Sequence, residues 1–485
     1  MFFNILVTAL VLICLRAIFL GSSASDLSFM KKIAKLFLSL VLFYLLSSLT
    51  LINYSLDFYY LHSSFKSSFL DQDVIFNSGE FKTFDFLNGA VYNTEVYVYP
   101  FIYVFVLVTA LSIMFCLTYN YDELASFMFY CVVILLAGYA LFFTDSFIIF
   151  FFAYEMLLVP SFFILYKFAK TRRAVEAAYL MFFWTQFGAL FLIICFIYLF
   201  FISGSSTFFN VANSYLSETE VNFIFICLIF GFGVKLPIWP FYGWLPKAHV
   251  EASTNFSIFL SGVLVKFAFF GLMKCLVIIS LEPTFIYVYP FLFIGIVDAV
   301  FKLFYQIDLK KLVAYSTVVE MHWLTICVIS GQSNLMLASF CMLISHALLS
   351  TNSFLIVDAI ARRFKTRLIT EFGGLNFLCP KLFLVSLINL LIFLGFPGSI
   401  FFVSEFLFFS FFLDLFPFLA LTLLLFLYLL GPTFFFRSWV NLLFGFSIQL
   451  FNKVPVDLSS RELVLFLGIP FLMYWMGISW QAFVV

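Results

Sequence analysis

Apolar stretches of about 20 residues, the length at which a helix crosses the hydrocarbon core of a bilayer, recur along this chain with short polar punctuation between them. Read in order they predict about fourteen spans, near 2–20, 34–53, 98–118, 125–143, 146–166, 177–202, 221–246, 254–280, 285–305, 312–330, 334–360, 382–411, 415–436 and 463–482. The longest intervals, 54–97 and 437–462, are too short for independent domains. The pattern predicts an all-α polytopic membrane protein, because in lipid a helix is the form in which a single segment satisfies its own backbone.

Two predicted spans are interrupted. Span seven carries Gly231-Phe-Gly-Val-Lys-Leu-Pro-Ile-Trp-Pro240, and span twelve carries Gly395-Phe-Pro-Gly398. Each break has an ionisable residue beside it, Lys235 in the first and Glu405 after the second. Spans four to eight and nine to thirteen then form two five-helix repeats, each with one broken helix. An odd number of spans per repeat inverts the second relative to the first, an arrangement that places a pathway at the membrane midplane. The expected organisation is 1–120 (three spans and the polar loop 54–97), 121–283 (first repeat), 284–440 (second repeat) and 441–485 (a last helix).

Composition agrees with the pattern: the 485 residues are 65% hydrophobic and 10% charged, too little polar surface for a soluble globule. The 78 phenylalanines exceed what packing needs and read as the coding bias of an AT-rich organelle genome. The apolar N-terminus has no basic region ahead of it and resembles neither a signal peptide nor a transit peptide. Charge adds topology. Alternate loops collect basic residues, among them Lys31, Lys32, Lys167, Arg172, Lys310 and Arg362, whereas the opposite set holds only Lys66 and Lys82, so the basic side should face cytosol or matrix.

The cysteines are scattered without a C-x-x-C pair, and no G-x-G-x-x-G or Walker loop is present, so iron–sulfur, zinc and nucleotide sites are not expected. With zero net charge and no basic patch, nucleic acid is not an expected partner.

The chemistry lies in ionisable residues at bilayer depth. A lysine at the centre of a span costs about 2.5–3.5 kcal/mol on insertion scales and reads by default as part of an ion or proton path with a partner nearby. Lys235 and Lys266 are both deep, and Glu155, near the middle of span five, is the expected partner of a buried lysine. Glu320 and His322 in span ten, His346 in span eleven and Glu405 in span twelve continue the series, which reads as a relay. Asp298 and Lys302, spaced i,i+4, should neutralise one another in a structural role. Lys274, near the end of span eight, reads equally as a snorkelling side chain or as a member of the buried series. Desolvation disfavours an ammonium and an adjacent carboxylate restores it, so moving Glu155 toward or away from Lys235 would load or release a proton.

The stretch Val234-Lys-Leu-Pro-Ile-Trp-Pro-Phe-Tyr-Gly-Trp-Leu-Pro-Lys-Ala-His-Val-Glu-Ala252, with Leu264-Val-Lys266, Tyr154-Glu155-Met, Asp308-Leu-Lys-Lys-Leu-Val-Ala-Tyr-Ser316, Ser345-His346 and Ser404-Glu405, resembles the chain 4 family of NADH:ubiquinone oxidoreductase, mitochondrial respiratory complex I. These motifs cover roughly residues 120–410. The resemblance implies a proton-translocating, antiporter-like core subunit of the membrane arm in the mitochondrial inner membrane, with both termini on the intermembrane-space side. Its partners would be other membrane-arm subunits, including neighbouring antiporter-like chains, and lipids. It would hold no cofactor itself, with flavin, iron–sulfur clusters and quinone on other subunits. Glu155 and Lys235 would form the ion pair of the inlet half-channel, Lys266 the central relay, His346 a linking group and Glu405 the exit-side acid. In span ten the family usually has a histidine where this chain has Glu320, and His322 is rotated from that position by about 200° on a helix. Ser253 stands where the family commonly has proline, and the chain ends without the long lateral helix of the larger chain 5. A subunit of a multisubunit cation/proton antiporter is the alternative reading of the same lysines.

Overall fold

Proline and glycine between them end many of these helices. The computed structural model describes residues 101–115, 124–278, 286–445 and 456–479, apart from 103, 170, 213 and 215, together with residue 35. The spans expected at 2–20 and 34–53, the loop 54–97 and both termini lie outside the described residues apart from that single position. The described elements are α1 (Val104–Phe115), α2 (Leu124–Phe143), α3 (Phe147–Met156), α4 (Leu158–Lys167), α5 (Arg172–Ser203), α6 (Phe208–Ala212), α7 (Glu218–Lys235), α8 (Trp244–Glu251), α9 (Thr254–Phe259) and α10 (Val265–Ile278). They continue as α11 (Tyr289–Phe304), α12 (Leu309–Ile329), α13 (Ser333–Phe364), α14 (Leu375–Leu378), α15 (Pro380–Phe393), α16 (Ile400–Leu415), α17 (Pro417–Leu424), α18 (Gly431–Phe444) and α19 (Ser460–Ile478). Among the described residues there is no strand, and 8 helical segments are long and apolar enough to cross a membrane, with α1 and α15 as shorter apolar helices.

Both expected breaks are present, but the first is placed differently. The helix runs through Gly231 and Gly233 to Lys235 and gives way only at Leu236–Pro240, where Pro237 and Pro240 lack the N–H that a continuing helix needs. Gly231 packs instead. A Cβ on Gly231 would lie 2.5 Å from Leu192 of α5, and one on Gly188 would lie 2.8 Å from the Gly231 carbonyl oxygen, so α5 and α7 touch almost backbone to backbone. A break not expected from the sequence separates α3 from α4 at Leu157, just after Glu155. Its cause is Pro160, which cannot donate to the carbonyl of Met156. The second expected break separates α15 from α16, with Gly395 and Gly398 at φ +69° and +93°, backbone that glycine adopts freely.

The fifth helix of each set carries a matching irregularity. A π-turn at Leu260–Leu264 joins α9 to α10, and another at Leu425–Leu430 joins α17 to α18. Each five-helix set therefore has its fourth helix broken and its fifth locally unwound. At the centre stand α12 and α13, buried along nearly their whole length. α13 packs on α9, α12, α15, α16 and α19, so what these two helices carry is inside the protein.

The last described helix holds the second break in place. A Cβ on Gly477 would collide with the backbone at Gly398, Ser399 and Ile400, and Tyr474 packs over Gly398. Backbone cannot yield as a flexible side chain does. Gly477→Ala should therefore destabilise the protein by about 1–3 kcal/mol, with Gly468→Ala, which meets open space, near neutral. Thermal unfolding of the two variants side by side tests this, and equal melting points would refute the clasp.

Candidate functional site

The first break sets out the first charged pair. Lys235 is the last residue of α7, where the exposed carbonyls of a helix end favour a cation. Its Nζ lies 3.5 Å from Glu155 Oε1 and donates to the Tyr154 carbonyl oxygen at 3.1 Å. It also sits 3.5 Å above the Tyr154 ring, a cation–π contact. Glu155 in turn accepts from Gln186 Nε2 of α5 at 2.7 Å. The carboxylate is therefore shared between a fixed amide and a lysine on the flank of a broken helix.

Lys266 is fully buried and follows the first π-turn. Its ammonium donates to the carbonyl oxygen of Ser261, inside that turn, and Glu320 is the acidic group near enough to act on its charge. A π-turn leaves carbonyls without their usual helical donors, so Lys266 both satisfies the turn and carries a charge at the centre. Lys274 does not snorkel: its Nζ reaches inward to the Thr144 and Phe142 carbonyls at 2.6 and 3.4 Å, tying α10 to the end of α2.

Span ten splits its two candidates between two jobs. Glu320 Oε2 meets Nδ1 of His346 across the α12–α13 interface, and both residues are buried. His322 points the other way. Its Nδ1 lies 2.7 Å from the Val318 carbonyl oxygen, which fixes the proton there, and its Nε2 accepts from the backbone N–H of Trp239 at 2.8 Å. Trp239 belongs to the first break, so His322 stands as a clip on the interrupted backbone, with both ring nitrogens engaged and no contact with the Glu320–His346 pair.

Glu405 lies in the second turn of α16. Its Oε2 is out of contact with solvent and has no hydrogen-bond partner. A Cβ at Gly395 would come within 2.5 Å of that oxygen, so Gly395 answers both to its positive φ and to the carboxylate beside it. A cavity of about 40 Å³ is lined by Glu320, Glu405, Ser316, Trp323 and Met342 among others, and it joins the central pair to the second break.

Other groups carry no assignment from sequence reasoning. Gln186 and Tyr154 give no signal in a chain, since only the fold brings them to Lys235. Tyr242 bridges Asp298 and Lys302, themselves 2.8 Å apart, and ties α11 to the first break. Lys310, buried in the first turn of α12, donates to the Ala252 carbonyl oxygen between α8 and α9 at 2.6 Å. It lines a polar cavity of about 330 Å³ with Thr171, Glu251, Thr254, Asp358 and Arg367. His249 is fully buried against Phe354 with neither ring nitrogen hydrogen-bonded. The Lys-Ala-His motif signalled it, but sequence alone assigned it no chemistry. Among the described residues no group of His, Cys, Asp and Glu is arranged to hold a metal ion.

Residues 144–431 match the family model described as NADH:quinone oxidoreductase/Mrp antiporter, TM. The chain is 32% identical over 420 residues to NADH-ubiquinone oxidoreductase chain 4 of Paramecium tetraurelia, covering 85% of this chain and 87% of that one. It is 30% identical over 401 residues to the chain 4 of Arabidopsis thaliana, covering 78% of each. Among solved structures it resembles a chain of respiratory complex I from Thermus thermophilus with bound NADH, at TM-score 0.69 and 20% identity over 79% of this chain and 82% of that one. A chain of the Mrp complex from Dietzia sp. DQ12-45-1b gives TM-score 0.69 and 16% identity over 79% and 81%.

The clip at His322 has a measurable consequence. His322→Leu leaves the Trp239 N–H buried without an acceptor, which costs about 1–3 kcal/mol. The assembled variant should melt earlier while the protons moved per electron stay unchanged. A lowered proton ratio at unchanged melting temperature would show that the ring carries protons instead.

Proposed function

The chain belongs to the NADH-ubiquinone oxidoreductase chain 4 family, and we propose that it works as the proton-translocating core subunit of a respiratory NADH:ubiquinone oxidoreductase. It is a multi-pass membrane protein and a member of an oxidoreductase complex, with other membrane-arm subunits as partners. The observation that carries the mechanism is the succession of acid and base groups through the interior: Glu155 with Lys235, then Lys266, then Glu320 with His346, then Glu405. Each lies beside a break, a π-turn or the buried interface of α12 and α13. Irregular backbone at membrane depth is tolerated where it faces protein or a wet cavity, which is also where a proton can move.

In this reading Lys235 holds its charge while Glu155 is near and releases a proton toward Lys266 when the carboxylate is drawn away. Gln186 keeps a hold on Glu155 throughout. The proton then passes through the central pair and leaves by Glu405. The division of the chain near residues 120, 283 and 440 follows the two sets of five helices. Redox chemistry is done on other subunits, where flavin, iron–sulfur clusters and quinone reside, and this chain carries none of them. The mitochondrial inner membrane is its site, with the termini on the intermembrane-space side, lipids around it and no nucleic acid. The alternative, a subunit of a cation/proton antiporter complex, draws on the likeness to the Mrp complex chain, which concerns the fold alone.

Purification of the intact complex separates the two: flavin and iron–sulfur partners support the redox-driven pump, and their absence from an intact complex overturns it. Within the pump, Lys235→Ala should lower proton-coupled NADH oxidation roughly a hundredfold or more, the scale of deleting a proton-transfer group, while assembly persists. Normal pumping in an assembled variant would remove Lys235 from the path.

A further inference from the structure

Residues 250–254, which join α8 to α9 in the first set of helices, are held at alternate positions by side chains of the second set. Arg367, just beyond α13, donates to the Val250 carbonyl oxygen at 3.0 Å. Lys310 of α12 donates to the Ala252 carbonyl oxygen at 2.6 Å, and Asp358 of α13 accepts from the Thr254 hydroxyl at 2.5 Å. Arg367 is anchored in turn 3.4 Å from Asp308, the N-cap of α12. One turn before Asp358, Phe354 stacks on the His249 ring of α8 with 4.9 Å between ring centres. From the first set Thr171 donates to Glu251 at 3.1 Å. At the far end of α8 the Trp244 indole donates to the Val234 carbonyl oxygen, next to Lys235, and beyond α9 comes the π-turn that Lys266 closes. The junction runs along the wall of the cavity of about 330 Å³. A close-packed interior leaves no room for a segment to shift; this segment has space on one side and is restrained by side chains on the other.

We propose that Lys310 is a positioning residue that locks this joint to α12, so that the break beside Lys235 and the π-turn beside Lys266 move with the second set of helices and not independently of it. The inference rests on the pump reading and adds to it a mechanical link between the halves; Lys310 itself transfers no proton. Its side chain suits that task. It leaves the first turn of α12, which Asp308 caps through the Lys310 N–H at 2.9 Å, and reaches across to one backbone oxygen at the joint. The Ala252 carbonyl is the middle of the three held positions, so losing that bond frees the joint at its centre. The backbone offers a second way to stiffen the same place. Ser253 has φ −63°, the value that proline imposes, and Ala252 before it is extended at ψ 155°, as a residue preceding proline must be. A proline at 253 therefore restrains the joint without adding any group that could carry a proton.

The test uses the whole assembled complex in liposomes and reads protons moved per electron beside the rate of electron transfer. Lys310→Met should lower the ratio about twofold or more, the low end for residues that carry coupling between sites, while electron transfer and assembly persist. Amide exchange across residues 250–264 should quicken roughly tenfold, as local opening becomes easier. Adding Ser253→Pro to Lys310→Met should recover about half or more of both effects, because it narrows the joint's freedom from the backbone side. An unchanged ratio in Lys310→Met overturns the lock. So does a lowered ratio that Ser253→Pro leaves untouched, which would make Lys310 a proton carrier instead. Should Lys310→Met fail to assemble, Thr254→Val decides, since it lacks only the hydroxyl that Asp358 holds: a lowered ratio with faster exchange over the same residues supports the lock, and an unchanged ratio overturns it. Lys235→Ala runs in parallel. If it abolishes pumping while Lys310→Met leaves the ratio unchanged, the lock fails and the pump reading stands; normal pumping in Lys235→Ala counts against the pump reading itself.

Discussion

A broken helix inside a membrane leaves backbone groups that neither lipid nor their own helix can satisfy, and the core of this protein is organised around closing those gaps. At the first break the Val234 carbonyl accepts from the indole of Trp244 at 2.8 Å, and the Gly233 carbonyl takes the N–H of Ile238 at 2.8 Å. The N–H of Trp239 goes to His322. At the π-turn Lys266 serves Ser261, and at the α8–α9 junction Lys310 serves Ala252. The second break closes largely on itself, with Phe396 N–H donating to Leu391 at 3.1 Å and Ser399 capping α16 through Phe402 N–H at 3.2 Å. An orphaned backbone group at this depth costs several kcal/mol, so none of these bonds is ornamental.

That requirement explains why polar and charged side chains gather where the path runs. A break needs donors and acceptors from neighbouring helices, and in the proposed path some of the residues that supply them also carry protons. Lys266 does both at once. His322 and Lys310 do the first and show that a buried cationic or imidazole side chain in this protein is not thereby a relay member. The two charged pairs differ from His322 in where their polar atoms end. Lys235 with Glu155 and His346 with Glu320 end on each other; His322 ends on backbone at both nitrogens.

Periodicity and composition made the helical class legible, and ionisable residues in apolar runs marked Lys235, Glu155, Lys266, His346 and Glu405 for attention. Placement within a break was legible only in part. Gly231 reads as a helix breaker in isolation, yet it is a flat surface for α5, and no single-chain pattern distinguishes the two uses. The pairing partners were not legible for a related reason. Gln186, Tyr154 and Tyr242 are ordinary residues in their own helices, and their roles exist only once α5, α3 and the first break are packed together. Glu320 and His322 are the sharpest case. Both are polar and two positions apart, so the 200° or so between them on a helix says that they face apart but not which one faces the path. Only the position of α13 answers that.

The two halves are built alike but poised differently, and the difference bears on direction. In the first half the cation comes before the break, at the carbonyl end of α7, and its charge is answered by Glu155, Tyr154 and the helix end together. In the second half the acid comes after the break, and its Oε2 is answered by nothing but a glycine that leaves it room. The lysine meets a carboxylate, a carbonyl and a ring, whereas one carboxyl oxygen of Glu405 has left solvent without a partner, which is unfavourable for a charge there. In the proposed path, Glu405 is the acid whose missing partner would be supplied by water reaching the second break. With Lys266, His346 and Glu320 between them, the inlet holds charge by attraction and the outlet holds a proton by isolation. In the proposed path, one conformational signal that loosened both breaks would favour proton release at both ends, so direction must come from which side each end then faces.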